Sequence, residues 1–478
     1  MNYKLMLRIL GQAFLVEALC LVIPLAVTLL YQEDHMPFLN TIFLLVIPGF
    51  LLSKRKASAD FYSREGFAVV GLIWLALSLF GALPFWFSGY FASYTDCFFE
   101  VVSGFTTTGS SILTDIEALP RGILFWRSFS SWIGGMGVLI FTLAFLPKVG
   151  GRTQVLVQAE APGPVSSKLV PKTAQSSKIL WQIYIGLTIL EFLALLLAKL
   201  PLYDAAVTAL ATVCTGGFSV MNLSIAAYNN SACEVIVTVF MFLSSVNFAA
   251  YFLILTGRAR QALKSDELRF FLGVVVLASA IIFGNILPLY DSVGHALRDT
   301  FFQVGTIVST AGFATTDFNL WPAMAQLVLV FLMFLGGCAG STAGGIKCCR
   351  ILVMGRCGRR ELSRLSHPRA VKVVKLDGKP VEEDTIQTIF VFFFLYFFLL
   401  AAAALVLCRD GFSLTTSCTA ALACLSNIGP GLDAVGPMGN FAGFSPLSKW
   451  VLSLTMLVGR LEIFPILILF FPSTWKKN

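Results

Sequence analysis

Gly336-Gly337-Cys338-Ala339-Gly340-Ser341-Thr342-Ala343-Gly344-Gly345 interrupts an apolar segment that runs from about Leu327 to Val353. Glycine destabilises helices, and irregular backbone in contact with lipid leaves polar groups unpaired. Such a run therefore survives in a membrane only where it lines a protein cavity or a water-filled path. It lacks the Gly-Lys-Ser/Thr ending of a phosphate-binding loop, and no strand precedes it within a βαβ unit. We interpret it as a break in a membrane span.

The composition predicts an all-α integral membrane protein. Hydrophobic residues make up 57% of the 478 residues, and 44 of the 478 are phenylalanine. Several apolar runs are long enough to span a bilayer. They include residues 67–87, 179–200, 270–289 and 386–407, and an N-terminal pair of helices is expected at about 8–30 and 38–53.

The positive charge follows a topological pattern. The chain has a formal net charge of +8, and 27 of its 34 Lys and Arg residues fall in six segments. These segments are residues 1–9, 53–66, 148–178, 257–269, 347–379 and 471–478. Basic residues concentrated in alternate loops predict a multi-pass protein with both termini in the cytosol and argue against nucleic-acid binding. The basic stretch 350–379 could dock a protein or simply hold the topology.

Cysteine and histidine usage gives no support for a metal centre or an enzyme. The eleven cysteines form no CxxC pair, and the three histidines stand in three different loops. A structural metal site or a disulfide framework is therefore not expected. No GxSxG motif or other catalytic constellation is present, so we predict that the chain is not an enzyme.

Four segments of the chain are similar to one another. Each has an apolar span, a shorter apolar segment that ends in a glycine-bearing loop, and a second span. The loops are Thr106-Thr107-Thr108-Gly109, Cys214-Thr215-Gly216-Gly217, Ser309-Thr310-Ala311-Gly312 and Ser426-Asn427-Ile428-Gly429. Thirteen residues before the final glycine stand Asp96, Asp204, Asp299 and Thr416. Each of these side chains is predicted to cap the start of a helix of about three turns.

The sequence predicts five structural units, an N-terminal helix pair and four repeats. An N-terminal transmembrane helix pair occupies residues 1–62. Four repeats of span, pore helix and second span follow at residues 63–177, 178–266, 267–378 and 379–478, around a pseudo-fourfold pore. The third repeat carries the glycine run as an intramembrane gating loop.

The short segments predict a cation-selective filter. A helix of roughly twelve residues is about 18 Å long, too short to cross the hydrocarbon core, so it is re-entrant. Its partly negative C-terminal end favours a cation, and the loop beyond it can replace the ion's hydration shell with carbonyl oxygens. The predicted filter residues are Thr107, Thr108, Gly109, Thr215, Gly216, Gly217, Thr310, Ala311, Gly312, Asn427, Ile428 and Gly429. The alternative is that these glycines only allow helices to pack closely.

One of the second spans carries a charge. The small pairs Gly134-Gly135, Ser244-Ser245 and Gly336-Gly337 align with Val458-Gly459, which puts Arg460 level with Met136, Val246 and Cys338. A charge in the middle of a span requires water or a partner. Arg460 could form a structural salt bridge with Glu462, or it could stand beside the pore and bind the carbonyls of the glycine run. The predicted gate residues are Gly336, Gly337, Gly340, Gly344, Gly345 and Arg460.

These motifs resemble those of the Trk/Ktr/HKT superfamily of potassium transporters, and most closely the bacterial Trk-type transmembrane subunit. The resemblance rests on the four loops, on 336–347 and on Gly459-Arg460-Leu461-Glu462, and it covers essentially the whole chain. Ala159-Glu160-Ala161-Pro162-Gly163-Pro164 and Ser366-His367-Pro368-Arg369-Ala370 are also similar to that branch.

The resemblance implies a homodimer in the bacterial inner membrane, with one pore in each protomer and a cytosolic NAD- or ATP-sensing regulatory subunit. It implies gated, K⁺-selective uptake, with K⁺ bound at the filter residues and no organic cofactor. Rb⁺ is expected as a substitute because glycine anchors only about one ring of carbonyls in all four loops. The alternative is a proton- or sodium-coupled K⁺ symporter, for which the candidate carboxylates are Glu100, Glu191 and Glu462.

Overall fold

The computed structural model describes residues 2–55, 63–137, 173–368 and 372–475. Residues 148–172 of one predicted cytosolic segment, including the motif Ala159–Pro164, lie outside the described residues, as do Arg369 and Ala370. Within the described ranges the chain is helical apart from one short hairpin, as the composition predicts.

The helices in chain order are α1 (Tyr3–Leu30), α2 (Met36–Ser53), α3 (Ser63–Gly81), α4 (Leu83–Ser88), α5 (Tyr94–Phe105), α6 (Arg121–Gly135), α7 (Thr173–Leu197), α8 (Leu202–Val213), α9 (Ser231–Ser245), α10 (Phe248–Leu255), α11 (Ala259–Leu263), α12 (Asp266–Ile286), α13 (Val293–Val308), α14 (Ala323–Leu335), α15 (Cys348–Ser366), α16 (Glu383–Leu407), α17 (Leu414–Ser426), α18 (Pro446–Arg460), α19 (Phe464–Leu467) and α20 (Pro472–Trp475). Strands β1 (Lys375–Leu376) and β2 (Lys379–Pro380) form an antiparallel hairpin between α15 and α16.

Six helices in the described ranges are long and apolar enough to cross a bilayer. They are α1, α2, α3 with α4, α7, α12 and α16, and the pair α9–α10, bent by 93°, would be a seventh. The Tyr3 hydroxyl donates to the backbone oxygen of Trp475 at 2.8 Å, so the two ends of the described chain lie on the same side of the molecule. The chain is therefore a multi-pass membrane protein.

The N-terminal helix pair packs closely on itself and on the rest of the chain. Gly11 and Gly49 face each other across α1 and α2, and a side chain at Gly11 would collide with Leu52. The Glu33 carboxylate, between the two helices, accepts hydrogen bonds from the backbone N–H groups of Arg121 and Gly122, both at 2.8 Å. It thereby caps α6, whose first N–H groups have no partner within the helix.

Four short helices, α5, α8, α13 and α17, have 12, 12, 16 and 13 residues, close to the predicted three turns. The predicted caps are wrong. In α5 the Ser93 hydroxyl accepts from the N–H of Asp96, and in α17 the Ser413 hydroxyl accepts from the N–H of Thr416. Asp96 and Thr416 thus occupy the third helical position, where a capping box also uses a polar side chain.

The other two predicted caps also lie inside their helices. Helix α8 begins after Pro201, which leaves Asp204 in its first turn. Helix α13 begins at Val293, so Asp299 stands in its second turn and receives a hydrogen bond from the Tyr290 hydroxyl at 2.9 Å. The regular spacing of the four polar residues reflects the repeat and not the position of the caps.

The second helices, α6, α9, α14 and α18, all stop after 13 to 15 residues. The sequence predicted a break only in the third. Small residues at the breaks bring the chain against the short helices: a Cβ on Gly134 would collide with the carbonyl of Phe105, and one on Gly459 with that of Leu425. Gly134 is thus equivalent to Gly459, which moves the predicted alignment by one position and sets Arg460 level with Gly135.

Candidate functional site

The four glycine-ended loops share one backbone conformation. We number them loop 1 (residues 106–109), loop 2 (214–217), loop 3 (309–312) and loop 4 (426–429). The second residues, Thr107, Thr215, Thr310 and Asn427, have φ of +53°, +56°, +59° and +55°. The final glycines, Gly109, Gly217, Gly312 and Gly429, have φ of +78°, +65°, +82° and +102°. A left-handed β-branched residue is a rare and strained feature, and here it occurs three times at equivalent positions.

Each loop ends its short helix in the same way. The third-position N–H groups bond back across six residues, from Thr108 to the Ser103 carbonyl at 2.8 Å and from Ile428 to the Ala423 carbonyl at 2.9 Å. Loops 2 and 3 make the same bond, at 2.8 and 2.9 Å. This is a Schellman motif, in which the left-handed residue turns the chain out of the helix. Asn427 differs from its threonine counterparts in sequence but not in backbone, since Asn tolerates the left-handed conformation.

The loops contact one another in a closed ring. A Cβ on Gly109 would lie less than 3.0 Å from the carbonyl oxygen of Gly216 in loop 2. The same short approach joins Gly217 to Ala311, Gly312 to Ile428, and Gly429 back to Thr108. Glycine at the fourth position is therefore required twice, once for its positive φ and once because the next loop occupies the space of a side chain.

The buried carboxylate of Glu100 forms an ion pair behind loops 1 and 2. Arg127 of α6 donates from Nε to Glu100 Oε1 at 2.6 Å, and both residues are buried. The carboxylate also accepts from the Ser111 hydroxyl at 2.9 Å and the Ile112 N–H at 3.0 Å. Arg127 donates in addition to the carbonyl of Ser219, just after loop 2, at 2.9 Å. The pair fixes the segments that follow two loops, and sequence reasoning did not identify Arg127, whose only signal was a lone charge within an apolar helix.

A second ion pair links the first and last short-helix units. Lys449 of α18 donates to Asp96 Oδ1 of α5 at 2.6 Å. Near loop 4, the hydroxyls of Ser413 and Thr416 donate to the exposed Asp433. These hydrogen bonds hold the pKa of Asp433 below its ordinary value, because they favour the charged form.

The segment 336–347, which we call the glycine-rich loop, lies directly against loops 3 and 4. The N–H of Gly344 donates to the Thr310 hydroxyl at 2.7 Å, and the N–H of Gly345 donates to the Ser426 carbonyl at 2.9 Å. The Thr342 hydroxyl lies 3.1 Å from the Val213 carbonyl at the end of α8 and 3.2 Å from that of Ser244. The loop thus touches the second, third and fourth units at once.

The glycines of this loop are needed for its path. Gly336, Gly340 and Gly345 have φ of +67°, +73° and +74°. A Cβ on Gly344 would collide with the Ser426 carbonyl, and one on Gly337 would lie 2.7 Å from the side chain of Ala343. Replacing these residues would therefore strain the loop or push it away from the ring.

Arg460 joins the glycine-rich loop to the end of α6. It donates to the Thr342 carbonyl at 2.7 Å and to the carbonyls of Gly134 and Gly135 at 2.7 and 2.6 Å. Carbonyls at a helix C-terminus favour a cation, so α6 stabilises the charge that holds the loop. Glu462, the other predicted partner, forms an ion pair with Arg350 of α15. The predicted contact with the glycine-rich loop is present at one carbonyl, that of Thr342, and its role in gating stays a prediction.

A cavity of about 220 Å³ borders the glycine-rich loop. Its lining includes Gly340, Ser341, Ala343, Gly344, Gly345, Lys347, Arg460 and Glu462. Gly344 and Gly345, which donate hydrogen bonds to loops 3 and 4, also line this cavity, so the glycine-rich loop is in contact with both the ring and the cavity.

Comparisons with known proteins agree over the full chain. A family model described as TrkH, cation transport protein, matches residues 34–289 and 289–477. The Trk system potassium uptake protein TrkH of Salmonella typhimurium is 37% identical over 488 residues, covering 100% of both chains. The Trk system potassium uptake protein TrkG of Escherichia coli K12 is 34% identical over 464 residues, covering 95% of each. The crystal structure of the potassium transporter TrkH from Vibrio parahaemolyticus superimposes with a TM-score of 0.90 at 34% identity, covering 100% of both chains.

Proposed function

Since the chain belongs to the TrkH family of cation transport proteins, we propose that it takes up potassium across the bacterial inner membrane. Its similarity to proteins named as potassium uptake proteins supports the substrate, and its relatives are transporters and not enzymes. K⁺ is the transported ion, and Rb⁺ is expected to replace it.

The closed ring of loops carries the proposal of a channel-like pathway. Four helix ends direct their partly negative termini toward one ring, and the Schellman bonds draw the loop N–H groups back into the helices. The loops can therefore bind a cation through their backbone carbonyl oxygens, as known K⁺ filters do. On this proposal the four predicted repeats, 63–177, 178–266, 267–378 and 379–478, surround one ion path, and residues 107–109, 215–217, 310–312 and 427–429 select the ion.

The glycine-rich loop is the proposed gate. Its backbone is not committed to helical hydrogen bonds, and its hold on the ring comes from a small number of contacts. Arg460 adds one charge-assisted hydrogen bond to the loop, at the Thr342 carbonyl, worth about 1.5–3 kcal/mol in favourable cases. A closed arrangement that depends on so few bonds can be reversed by a partner or by ion binding.

The same reasoning gives the proposed topology and assembly. Both termini are proposed to be cytosolic because basic residues concentrate in alternate loops and because Tyr3 and Trp475 are in contact. Relatives named after a Trk system imply that further Trk components act with the chain. We assign to that system a homodimer and a cytosolic NAD- or ATP-sensing regulatory subunit.

Electrical measurements on purified protein in liposomes test the proposal. We expect Rb⁺ and K⁺ flux, and a reversal potential that follows the K⁺ gradient. It should not move when the pH or Na⁺ concentration of one side is changed. A potential that shifts with pH or Na⁺ would instead support the coupled symporter. Among that alternative's candidates, Glu100 and Glu462 are each engaged by an arginine.

A further inference from the structure

The base of the glycine-rich loop is closed by its own backbone. The N–H groups of Ile346, Lys347 and Cys348 donate to the carbonyls of Phe334, Leu335 and Gly337 at 3.2, 3.0 and 3.1 Å. These bonds hold the two ends of the loop together. The parts that can move are the stretch between the two ends and helix α15, which follows the loop.

Helix α15 begins directly after this loop without a capping side chain of its own. Its N-cap residue, Lys347, has φ of +79° and makes no side-chain cap hydrogen bond. The first N–H groups of a helix need acceptors from elsewhere, particularly when they are buried.

Glu267 supplies that acceptor from α12. It is the second residue of α12 and only 8% exposed. Its Oε1 accepts from the N–H of Ala339, inside the glycine-rich loop, at 2.7 Å, and from the N–H of Cys349, in the first turn of α15, at 3.0 Å. One oxygen atom of Glu267 thus links Ala339 in the glycine-rich loop to the first turn of α15.

A second set of contacts ties the start of α12 to the middle of α15 and to the hairpin. Asp266 accepts from Arg356 of α15 at 2.9 Å and from the N–H of Asp377 in the hairpin at 3.0 Å. A cavity of about 630 Å³ reaches from Asp377 to Glu267 and to Cys338 of the loop. Glu267 therefore lies between the contacts that Asp266 makes with α15 and the hairpin and the contact with the glycine-rich loop.

We propose that Glu267 is a positioning residue of the gate, which holds the glycine-rich loop closed by accepting the N–H groups of Ala339 and Cys349. This inference rests on the proposed function of the loop. It assigns the closed state a second anchor, at Ala339, three residues before the Thr342 carbonyl that Arg460 binds. The required property is hydrogen-bond acceptance, which the amide oxygen of glutamine retains and alanine lacks.

The test compares Rb⁺ flux into liposomes that contain only this subunit, for wild type, Glu267→Ala, Glu267→Gln and Arg460→Ala. Glu267→Ala should raise flux at least about tenfold, because it removes the hydrogen bonds from both Ala339 and Cys349, and the loss of one hydrogen bond to a charged group already corresponds to about that ratio. Glu267→Gln should stay near wild type. Glu234→Ala is the matched control, because Glu234 is also 8% exposed in the first turn of a helix but pairs with Arg298, away from the loop. It should not raise flux.

Hydrogen–deuterium exchange gives a readout that does not depend on transport. The amides of Ala339 and Cys349 should exchange faster in Glu267→Ala and at the wild-type rate in Glu267→Gln. If Arg460→Ala speeds flux and Glu267→Ala does not, the inference is wrong while the proposed gate stands. Faster exchange at both amides in Glu267→Gln would overturn it as well. A wild-type protein that carries no Rb⁺ would remove the proposed function and this inference with it.

Discussion

The four glycine-ended loops and the four breaks in the second helices occupy neighbouring layers, but only the loops keep the fourfold repeat in their structure. The loops differ in sequence at three of four positions but have the same backbone, with a left-handed second residue and a left-handed glycine in each. The breaks begin at equivalent places but continue differently. The chain bends by 93° into α10 after α9, forms the glycine-rich loop after α14, and ends α18 in Arg460.

On the proposed function, the difference follows from what each layer must do. An ion on an axis is surrounded evenly only if all four loops present the same geometry, so the shared backbone is kept where the loops meet. A gate needs one element that moves and others that hold it. Asymmetry is therefore concentrated one layer away, where α6 offers carbonyls, α18 offers a cation and the third unit offers the loop.

Breaking the ring should have the largest effect. In Gly217→Ala or Gly312→Ala, the new methyl group meets the carbonyl of Ala311 or Ile428 in the next loop, and the residue must also keep a positive φ. We expect Rb⁺ uptake to fall at least about tenfold or K⁺/Na⁺ selectivity to be lost, because a left-handed alanine alone costs about 1–2 kcal/mol and the collision adds to it.

Gly411→Ala is the control for that experiment. Gly411 has φ of +80°, and no atom lies within 4 Å of the position a Cβ would take. It therefore imposes the same backbone strain without the collision. Wild-type selectivity in a well-folded Gly217→Ala protein would show that the ring does not define the ion path.

Removing the asymmetric charge should have the next largest effect, in the opposite direction. Arg460→Ala loses three hydrogen bonds to backbone carbonyls, and deletion of residues 340–344 removes the loop's hydrogen bonds with Arg460 and with loop 3. Both changes should raise Rb⁺ flux about tenfold in liposomes without a partner, given the size of charge-assisted bonds. K⁺/Na⁺ selectivity should change little because the ring is intact.

Arg460→Lys separates charge from geometry, since lysine keeps the charge but cannot reach several carbonyls in a planar fork. It should give an intermediate flux. If neither Arg460→Ala nor the deletion of residues 340–344 conducts faster than wild type, Arg460 is structural and the loop is not the closing element.

Making loop 4 more symmetric should have the smallest effect. Asn427→Thr gives it the residue that the other loops have, at the expense of hydrogen bonds from Asn427 to the Thr108 hydroxyl and the Met456 carbonyl, both at 2.9 Å. We expect uptake within about twofold of wild type and a loss of stability of about 2 kcal/mol, because two neutral hydrogen bonds of about 1 kcal/mol each are lost. Thermal melts and uptake assays on the same preparation measure both. A loss of uptake as large as that in Gly217→Ala would show that the side chain matters more than the backbone in loop 4.

The sequence predicted what repetition and composition encode. The loops, the short helices before them and the non-helical glycine run are all visible as recurring glycines in apolar segments. The positions of the caps were wrong because Ser93 and Asp96, three residues apart, can both cap a helix, and only the fold decides between them. The breaks in α6, α9 and α18 were missed because a glycine pair, a serine pair or a single glycine does not by itself stop a helix unless a neighbouring backbone presses against it.

The contacts that fix the candidate site could not be read from the sequence. Arg127 and Glu100 are 27 residues apart, and Glu267 lies 72 residues from Ala339. Nothing in local pattern pairs them. The left-handed threonines contradict local preference, so they reveal themselves only in the structure, where the surrounding protein imposes them.

Closure of the ring also sets an order on biosynthesis. Its last junction, where the Ser110 hydroxyl donates to the Gly429 carbonyl at 3.1 Å, joins residues 319 positions apart. The first loop must therefore wait, already in the membrane, until the final unit has been translated and inserted. Chains that end before α17 lack one side of the ring. Premature termination or proteolysis in that region should yield inert fragments and not leaky, partly selective pores, a useful property for a protein that sits in an energised membrane.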